Sequence, residues 1–564
     1  MRTGHLYFKH KHQDITNTGQ FMETDHQIVL DGENLSLENL VVAAHNPDFR
    51  VSLSDEAKRR IGQSRAWVEQ VQKSGKPVVY GINTGFGSKA NVSIEKNQLR
   101  ELQRNLIMSH SAGTGKPFSV ETIRAAMIMR ANTFAKGFSG IRLEVVKTLI
   151  NMINQGVTPW VPEQGSVGAS GDLAPLSHIA LVLSRGVDRD YEEHSGRAYF
   201  YDRKSREWQL HSGLKAMELA KIPRVILEAK EGLALNNGTQ ISAALLATDL
   251  YDAYQLVKNA DIAMAMTLEA LEGISAAFRP EIHELRPHPG QVKTAGNIRK
   301  LTAGSKFLDR QPQKVQDSYS LRCHPQVMAG VRDALDYISK ILSIEMNSTN
   351  DNPIIFPESE DINKAISGGN FHAQPIAFAS DLLAMVLCEV GSVSERRIFK
   401  MSDKNLNYGL PSFLIENSGL ESGLMLAQYT AAALVSENKS LAHPASIDSI
   451  PTCENQEDHV SMAPIAARKA RMILENVKKI VAIEYLFAAQ ALELRFKIID
   501  SSGKDLLKSG LAGKGTAIAY KKIREVIPFI NIDRPVYPHL ETAKDLIENN
   551  IILAEVEKAI GKLD

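Results

Sequence analysis

The sequence is poor in cysteine, in aromatic residues and in net charge. Its three cysteines, Cys323, Cys388 and Cys453, stand far apart with no Cys-x-x-Cys spacing. That excludes a disulfide framework or a zinc–thiolate site and reads as reduced, buried thiols of a cytosolic protein. Lysine plus arginine number 65 and aspartate plus glutamate 65, a formal net charge of zero. Such a balance argues against nucleic acid or an anionic membrane surface as a main partner. No run approaches about 18 uninterrupted apolar residues, so no membrane span is expected. The opening stretch MRTGHLYFKHKHQDITNTGQFMETDH carries no apolar signal core. Residues 1–25 therefore read as a polar extension outside the fold, with His5, His10 and His12 as tail residues rather than metal ligands. No metal site and no internal repeat is expected.

What the sequence does have is helical periodicity. At 564 residues it is long enough for a large core. HQIVLDGENLSLENLVVAAHN reads as a short strand, a turn and a helix capped near Ser36, and Ser54 is a good cap for the helix over 54–73. The polar interval 186–224, with its short aromatic runs, predicts a hairpin-like surface excursion. From about residue 228 helix follows helix without βαβ alternation. Over 464–495, Ile473, Val477, Ile480, Phe487, Ala491 and Leu494 recur at three-and-four spacing, a stripe that must pack on other helices. Glu484 falls inside that stripe as a buried, paired carboxylate, with a functional and a structural role both open.

One stretch contradicts the helical pattern. GSVGASGDLAPLSH, residues 165–178, places Gly165, Gly168 and Gly171 within seven residues, and glycine in a helix interior costs roughly 1 kcal/mol relative to alanine. A phosphate cradle would need GxGxxG or the lysine of GxxxxGK[ST]. A nucleophile elbow would need GxSxG, and Asp172 stands where its last glycine belongs. A plain connector remains possible on spacing alone. So does backbone chemistry at Ala169-Ser170-Gly171, where glycine lets its nitrogen approach the carbonyl carbon two residues back and close a five-membered ring. Loss of water from Ser170 would then leave an exocyclic methylene, a strong electrophile.

Further motifs lie along the chain: YGINTGFG (80–87), EGLALNNGTQ (231–240), VQDSYSLR (315–322), NSTNDNP (347–353), SGGNFHAQP (367–375) and NQEDHVSM (455–462). Together with GSVGASGDLAPLSH they closely resemble the aromatic amino acid lyase family, and the resemblance runs from about residue 27 through nearly the whole chain. It implies a mainly α fold with an elongated central helical bundle and a smaller N-terminal active-site region. The expected divisions are 1–25 (extension), 26–225 (N-terminal region with the cofactor-forming loop), 226–500 (central bundle) and 501–564 (C-terminal helical segment).

The resemblance also implies the chemistry. Ala169, Ser170 and Gly171 would cyclise to 4-methylideneimidazole-5-one, a self-formed electrophile that needs no external cofactor. Tyr80 matches the family's catalytic tyrosine and would need a lowered pKa to act as a base near neutrality. Arg322 matches the arginine that grips the substrate carboxylate, a job suited to a guanidinium fork. Gln316 and Tyr319 match neighbouring site residues, Asn237 the amide on the cofactor carbonyl, and Phe371 an aromatic wall. His110 and Glu437 could read the two nitrogens of an imidazole, which points to elimination of ammonia from L-histidine to give trans-urocanate. A tyrosine or broad aromatic ammonia-lyase, or a tyrosine 2,3-aminomutase, is the alternative, because Ser109-His110 also resembles some tyrosine enzymes. The implied partners are a small amino acid and three further copies of the chain, in a homotetramer with shared active sites. Asn236, His324 and Ser88-Lys89 depart from the family pattern.

Overall fold

The computed structural model describes residues 27–500 and 505–564; the extension expected over 1–25 lies outside the described residues. Side-chain caps set the first helices where the sequence predicts them. Ser36 accepts from the Asn39 N–H at 3.2 Å ahead of the helix Leu37–His45, and Ser54 accepts from the Ala57 N–H at 3.1 Å ahead of Asp55–Ser74. Strands Gln27–Leu30 and Arg50–Leu53 pair in parallel beside them. In the 186–224 interval, Arg197–Asp202 and Glu207–Ser212 form an antiparallel hairpin. Arg197–Asp202 also pairs with Val157–Pro159, so the hairpin supplies the middle and one edge strand of a three-stranded sheet.

Eight helices position the site: α1 (Leu99–His110), α2 (Val120–Ala135), α3 (Leu173–Leu183), α4 (Gln240–Ala270), α5 (His324–Met346), α6 (Gln374–Ser402), α7 (Met425–Leu441) and α8 (Ala463–Ile499). The apolar stripe of α8 is fully buried, from Ile473 to Leu494, against α4 and α6. Cross-helix pairs give the directions. Arg471 of α8 meets Asp249 of α4, and Arg495 donates to the Ala270 carbonyl at 3.0 Å, so α4 and α8 run parallel. Gly391 of α6 packs on Val477 and Ile480, and Arg397 pairs with Glu484, so α6 runs the same way. Helix α5 is antiparallel to them: His324 meets Asp261 at one end and Glu345 meets Thr239 at the other. The N-terminal ends of α4 and α8 thus face one end of the bundle, and the start of α5 lies at the opposite end.

That opposite end holds a buried ionic network. Glu484 accepts from Arg397 Nε and Nη2 at 2.5 and 2.7 Å and from Thr267 Oγ1 at 3.0 Å, all of it shielded from solvent. The pair is structural, and removing one partner would leave an uncompensated buried charge, destabilising by about 3–5 kcal/mol. His324, one of the departures from the family pattern, joins this network between Asp261 (2.9 Å) and Arg397 (3.3 Å).

Among the described residues only α6 is long and apolar enough to cross a membrane. It instead packs between α5, α7 and α8, with Arg397 and Asp381 buried along it, as a core helix. All three cysteines are free; Cys323 and Cys388 are partly buried, but Cys453 is exposed. The expectation of buried thiols fails there because residues 453–455 form a surface turn with left-handed backbone outside the bundle.

Candidate active site

Three segments meet at the candidate site. The first is the loop itself, Gly165–Asp172, leading into α3. Its backbone folds so that Ala169 and Gly171 pair with one another and Gly171 pairs with Gly238. Gly171 has φ +70°, and a Cβ there would overlap the Gly238 carbonyl, so only glycine fits. The second segment is the turn before α4. Asn237 Nδ2 donates to the Ser170 carbonyl at 2.7 Å, and the Asp172 N–H donates to the Gly238 carbonyl at 2.6 Å. The buried Asp172 carboxyl accepts from Ser242 N–H and Oγ, both at 2.8 Å, and so caps α4; burial pushes its pKa up to about 6. The third is the entry to α8, where Ser461 Oγ donates to the Gly168 carbonyl at 3.2 Å and the Met462 N–H to the Val167 carbonyl at 2.9 Å. Two helix N-termini, each carrying partial positive charge, are therefore aimed at the loop.

Glu457 lies over the centre of the loop. Its Oε1 accepts from Ser170 Oγ at 2.8 Å and its Oε2 from Thr452 Oγ1 at 2.7 Å. Tyr80 and His110 both lie within electrostatic reach of it. Tyr80 is held by a loop folded around one side chain: Asn83 Oδ1 accepts from the Val79 N–H at 2.7 Å, while its amide donates to the Gly75 and Pro77 carbonyls. The Tyr80 oxygen accepts from the Gly87 N–H at 3.2 Å. Burial, with the charges of Cys453 and Glu457 nearby, still raises the phenol above its ordinary pKa; the lowered value expected from the sequence is not found. His110 ends α1, with Ser109 Oγ 3.0 Å from its Nδ1, and burial lowers its pKa against the pull of Glu457.

The remaining expected residues lie elsewhere. Phe371 is half-buried, beside His372, whose ring stacks on His459 two residues from Glu457. Gln316, Tyr319 and Arg322 are at the far end of the bundle, just before α5. Arg322 lies against the Tyr319 ring, 4.6 Å from its centre, and its Nε donates to the Asp317 carbonyl at 2.8 Å. Tyr319 is 71% exposed. Because α5 is 23 residues long and its distal end reaches Thr239, Arg322 is roughly 30 Å from the Ser170 loop within one chain. Glu437 is exposed on α7, with Oε2 accepting from Asn476 at 2.9 Å. The pairing of His110 with Glu437 does not form within the chain: Asn476 is thirteen residues into α8, about 20 Å from the loop end. The carboxylate that accompanies His110 is Glu457.

Sequence reading missed Glu457 as a site residue although it quoted the motif that contains it. A carboxylate in the polar run NQEDH has no periodicity to mark it, and only its partner Ser170, 287 positions away, reveals it. Of the departures from the family pattern, Asn236 is buried and donates to Ser177 Oγ at 3.1 Å. Lys89 pairs with Glu454 at 3.2 Å, and Ser88 also bonds Glu454, which ties the Tyr80 loop to the Cys453 turn.

A mainly helical bundle with a self-apposed Ala-Ser-Gly loop at its helix N-termini defines a class. Residues 35–525 match the aromatic amino acid lyase family, and the chain belongs to that family and is a carbon–nitrogen lyase. It is 48% identical to the histidine ammonia-lyase of Caldanaerobacter subterraneus subsp. tengcongensis over 95% of this chain and 99% of that one. Among solved structures it is similar to histidine ammonia-lyase from Trypanosoma cruzi (37% identity, TM-score 0.82, 94% and 95% of the two chains). It is also similar to a tyrosine aminomutase from Streptomyces globisporus (34% identity, TM-score 0.85, 95% and 100%).

Proposed function

We propose that this protein eliminates ammonia from L-histidine to give trans-urocanate, with a methylidene-imidazolone formed from Ala169, Ser170 and Gly171. The observation that carries the reading is the meeting of Ser170 with Asn237, Glu457, Tyr80 and His110 at one end of the bundle. It is supported by the high identity to histidine ammonia-lyases along the full chain. The residues present fit the group. Gly171 is pressed toward Ala169 and Gly238, the Ser170 carbonyl already accepts from Asn237, and the Ser170 hydroxyl is directed at Glu457 rather than packed away.

Once formed, the group supplies an electrophilic carbon for covalent capture of the amino acid. Asn237 holds the Ser170 carbonyl oxygen and withdraws electron density from it. Tyr80 takes the β-proton as phenolate. His110 and Glu457 offer a donor and an acceptor to the two imidazole nitrogens, and leaving either unpaired in a dry pocket rejects other side chains. Arg322, with Tyr319 and Gln316, holds the substrate carboxylate from another copy of the chain, since its own loop is roughly 30 Å away. This separation supports a site shared between copies, and a homotetramer is the assembly that the family resemblance implies. The free thiols suit a reducing cytoplasm.

The test is a substrate panel of L-histidine, L-tyrosine and L-phenylalanine with product identification, alongside intact-mass measurement of the purified chain. The reading expects urocanate and ammonia from histidine in preference to the others, and a chain mass lower by two waters. Preference for tyrosine, or a β-amino acid formed without ammonia, would overturn the histidine assignment. An unmodified mass in folded protein would overturn the cofactor.

A further inference from the structure

Beneath the turn that presses on the Ala169-Ser170-Gly171 loop lies a buried arginine. Arg130 of α2 is 2% exposed, and among the described residues it hydrogen-bonds no carboxylate, the charge of Asp351 reaching it only through space. Its guanidinium is spent on carbonyl and amide oxygens. Nη2 donates to the Ala234 carbonyl and to the Asn237 carbonyl, the latter at 2.6 Å; Nη1 donates to Gln240 Oε1 at 2.9 Å and reaches Asn350 Oδ1 at 3.4 Å. Three of these four acceptors belong to residues 234–240, the turn that supplies the Asn237 amide and the Gly238 carbonyl to the loop.

The layers are stacked without slack. A Cβ on Gly238 would overlap Arg130 Nη1, and a Cβ on Gly171 would overlap the Gly238 carbonyl. Guanidinium, turn and loop are thus in successive contact, and a displacement of the first is transmitted to the third. Keeping an arginine buried against neutral oxygens is expensive: burial lowers its pKa to about 10. A neutral amide could fill the space, but its single nitrogen could not reach the acceptors that Nη1 and Nη2 divide between them.

We propose that Arg130 is a positioning residue for ring closure: it clamps the Ala234–Gln240 turn against the loop so that the Gly171 nitrogen is held at the Ala169 carbonyl carbon. The inference rests on the cofactor proposed above. In the closure, a bond forms between the Gly171 nitrogen and the Ala169 carbonyl carbon. The carbonyl oxygen leaves as water with the Gly171 and Ser170 amide protons, so that a C=N bond remains. A second water is made from the Ser170 hydroxyl and its α-proton, leaving the Cα=Cβ bond. No oxidant or reductant is consumed. Such an intramolecular step depends steeply on approach geometry, and a misplacement of about 1 Å can slow it about 10²-fold.

The experiment follows the intact mass of freshly made wild type, Arg130→Lys and Gln240→Glu, during incubation of the folded fraction isolated by size exclusion. Lysine keeps the charge but is a single point donor. The glutamate is isosteric and draws the guanidinium toward residue 240, away from the Ala234 and Asn237 carbonyls, while giving up the Gln240 amide's own donations to Thr133 Oγ1 and Asn350 Oδ1; it disturbs the clamp from the turn's side and leaves Arg130 itself in place. Wild type should already be two waters light. Each folded variant should start at the unmodified or one-water-lost mass and convert about 10²-fold more slowly, and activity should rise in step with conversion. Folded variants that are fully dehydrated at the outset, with only a lowered melting temperature, would make Arg130 merely structural and overturn the proposal. An unmodified wild type would instead overturn the cofactor itself, which separates the two failures.

Discussion

The Ser170 hydroxyl donates to Glu457 Oε1 at 2.8 Å, while Thr452 holds the other carboxylate oxygen at 2.7 Å. In the proposed cofactor Ser170 has given up this oxygen, so Oε1 would lose its partner there and Oε2 would not. The same carboxylate that steadies the unreacted loop would then be free, in a fixed orientation, to meet substrate. Glu457→Gln should therefore leave the two-water mass loss intact and lower turnover of histidine about 10²–10³-fold. Intact mass and steady-state kinetics on one preparation check both halves; normal turnover would remove Glu457 from the reaction.

Tyr80 carries the opposite expectation for pH. Its phenol is raised above the ordinary value by burial, so its phenolate is scarce at neutrality and grows tenfold per pH unit below the pKa. With phenolate as the base, kcat/KM should climb from pH 7 toward pH 9. In Tyr80→Phe that climb should vanish and turnover should fall about 10²-fold or more. A pH–rate profile of both proteins is the measurement.

At His110 the prediction is one of specificity. On the proposed role of His110, His110→Phe would remove a polar partner from the substrate ring, a loss of about 1–3 kcal/mol for histidine. The same ring should favour phenylalanine. Comparing kcat/KM for histidine, tyrosine and phenylalanine in both proteins shows whether preference moves in that direction.

Shared sites predict rescue between inactive chains. Tyr80→Phe and Arg322→Ala should each be nearly inactive alone. Co-expressed, they should recover a sizeable fraction of wild-type activity, because mixed assemblies contain sites with both an intact Tyr80 and an intact Arg322. No recovery in mixed oligomers of verified composition would mean that the two residues do not serve a common site.

His178 sets a pH limit on stability. Its Nε2 accepts from the Gly113 N–H at 3.2 Å, which requires the neutral ring, and burial lowers its pKa to about 4. Between pH 6.5 and 4 the unfolded chain binds a proton that the folded chain does not, so stability falls as pH drops through that window. The slope approaches about 1.4 kcal/mol per pH unit from this group. Thermal melts from pH 7.5 to 5 should show a steeper loss in wild type than in His178→Gln.

Local rules were sufficient for much of this protein. Ser36 and Ser54 announced their helices because a cap is a contact over three residues, and the α8 stripe followed from a 3.6-residue period. The Ala169-Ser170-Gly171 loop stood out for a similar reason, since its glycines break the helical pattern within seven residues. Contacts between distant segments were not legible in that way. Glu457 meets Ser170 across 287 positions, and Arg130 meets the Asn237 turn across more than a hundred. Neither Glu457 nor Arg130 announces its contact by any local periodicity or cap. Only the tertiary structure decided that α5 runs against α4, which carries Arg322 to the far end of the bundle, and that Glu437 points at Asn476 rather than at His110. Helix direction and rotation follow from summed packing over the whole core, a quantity that no short stretch of sequence contains.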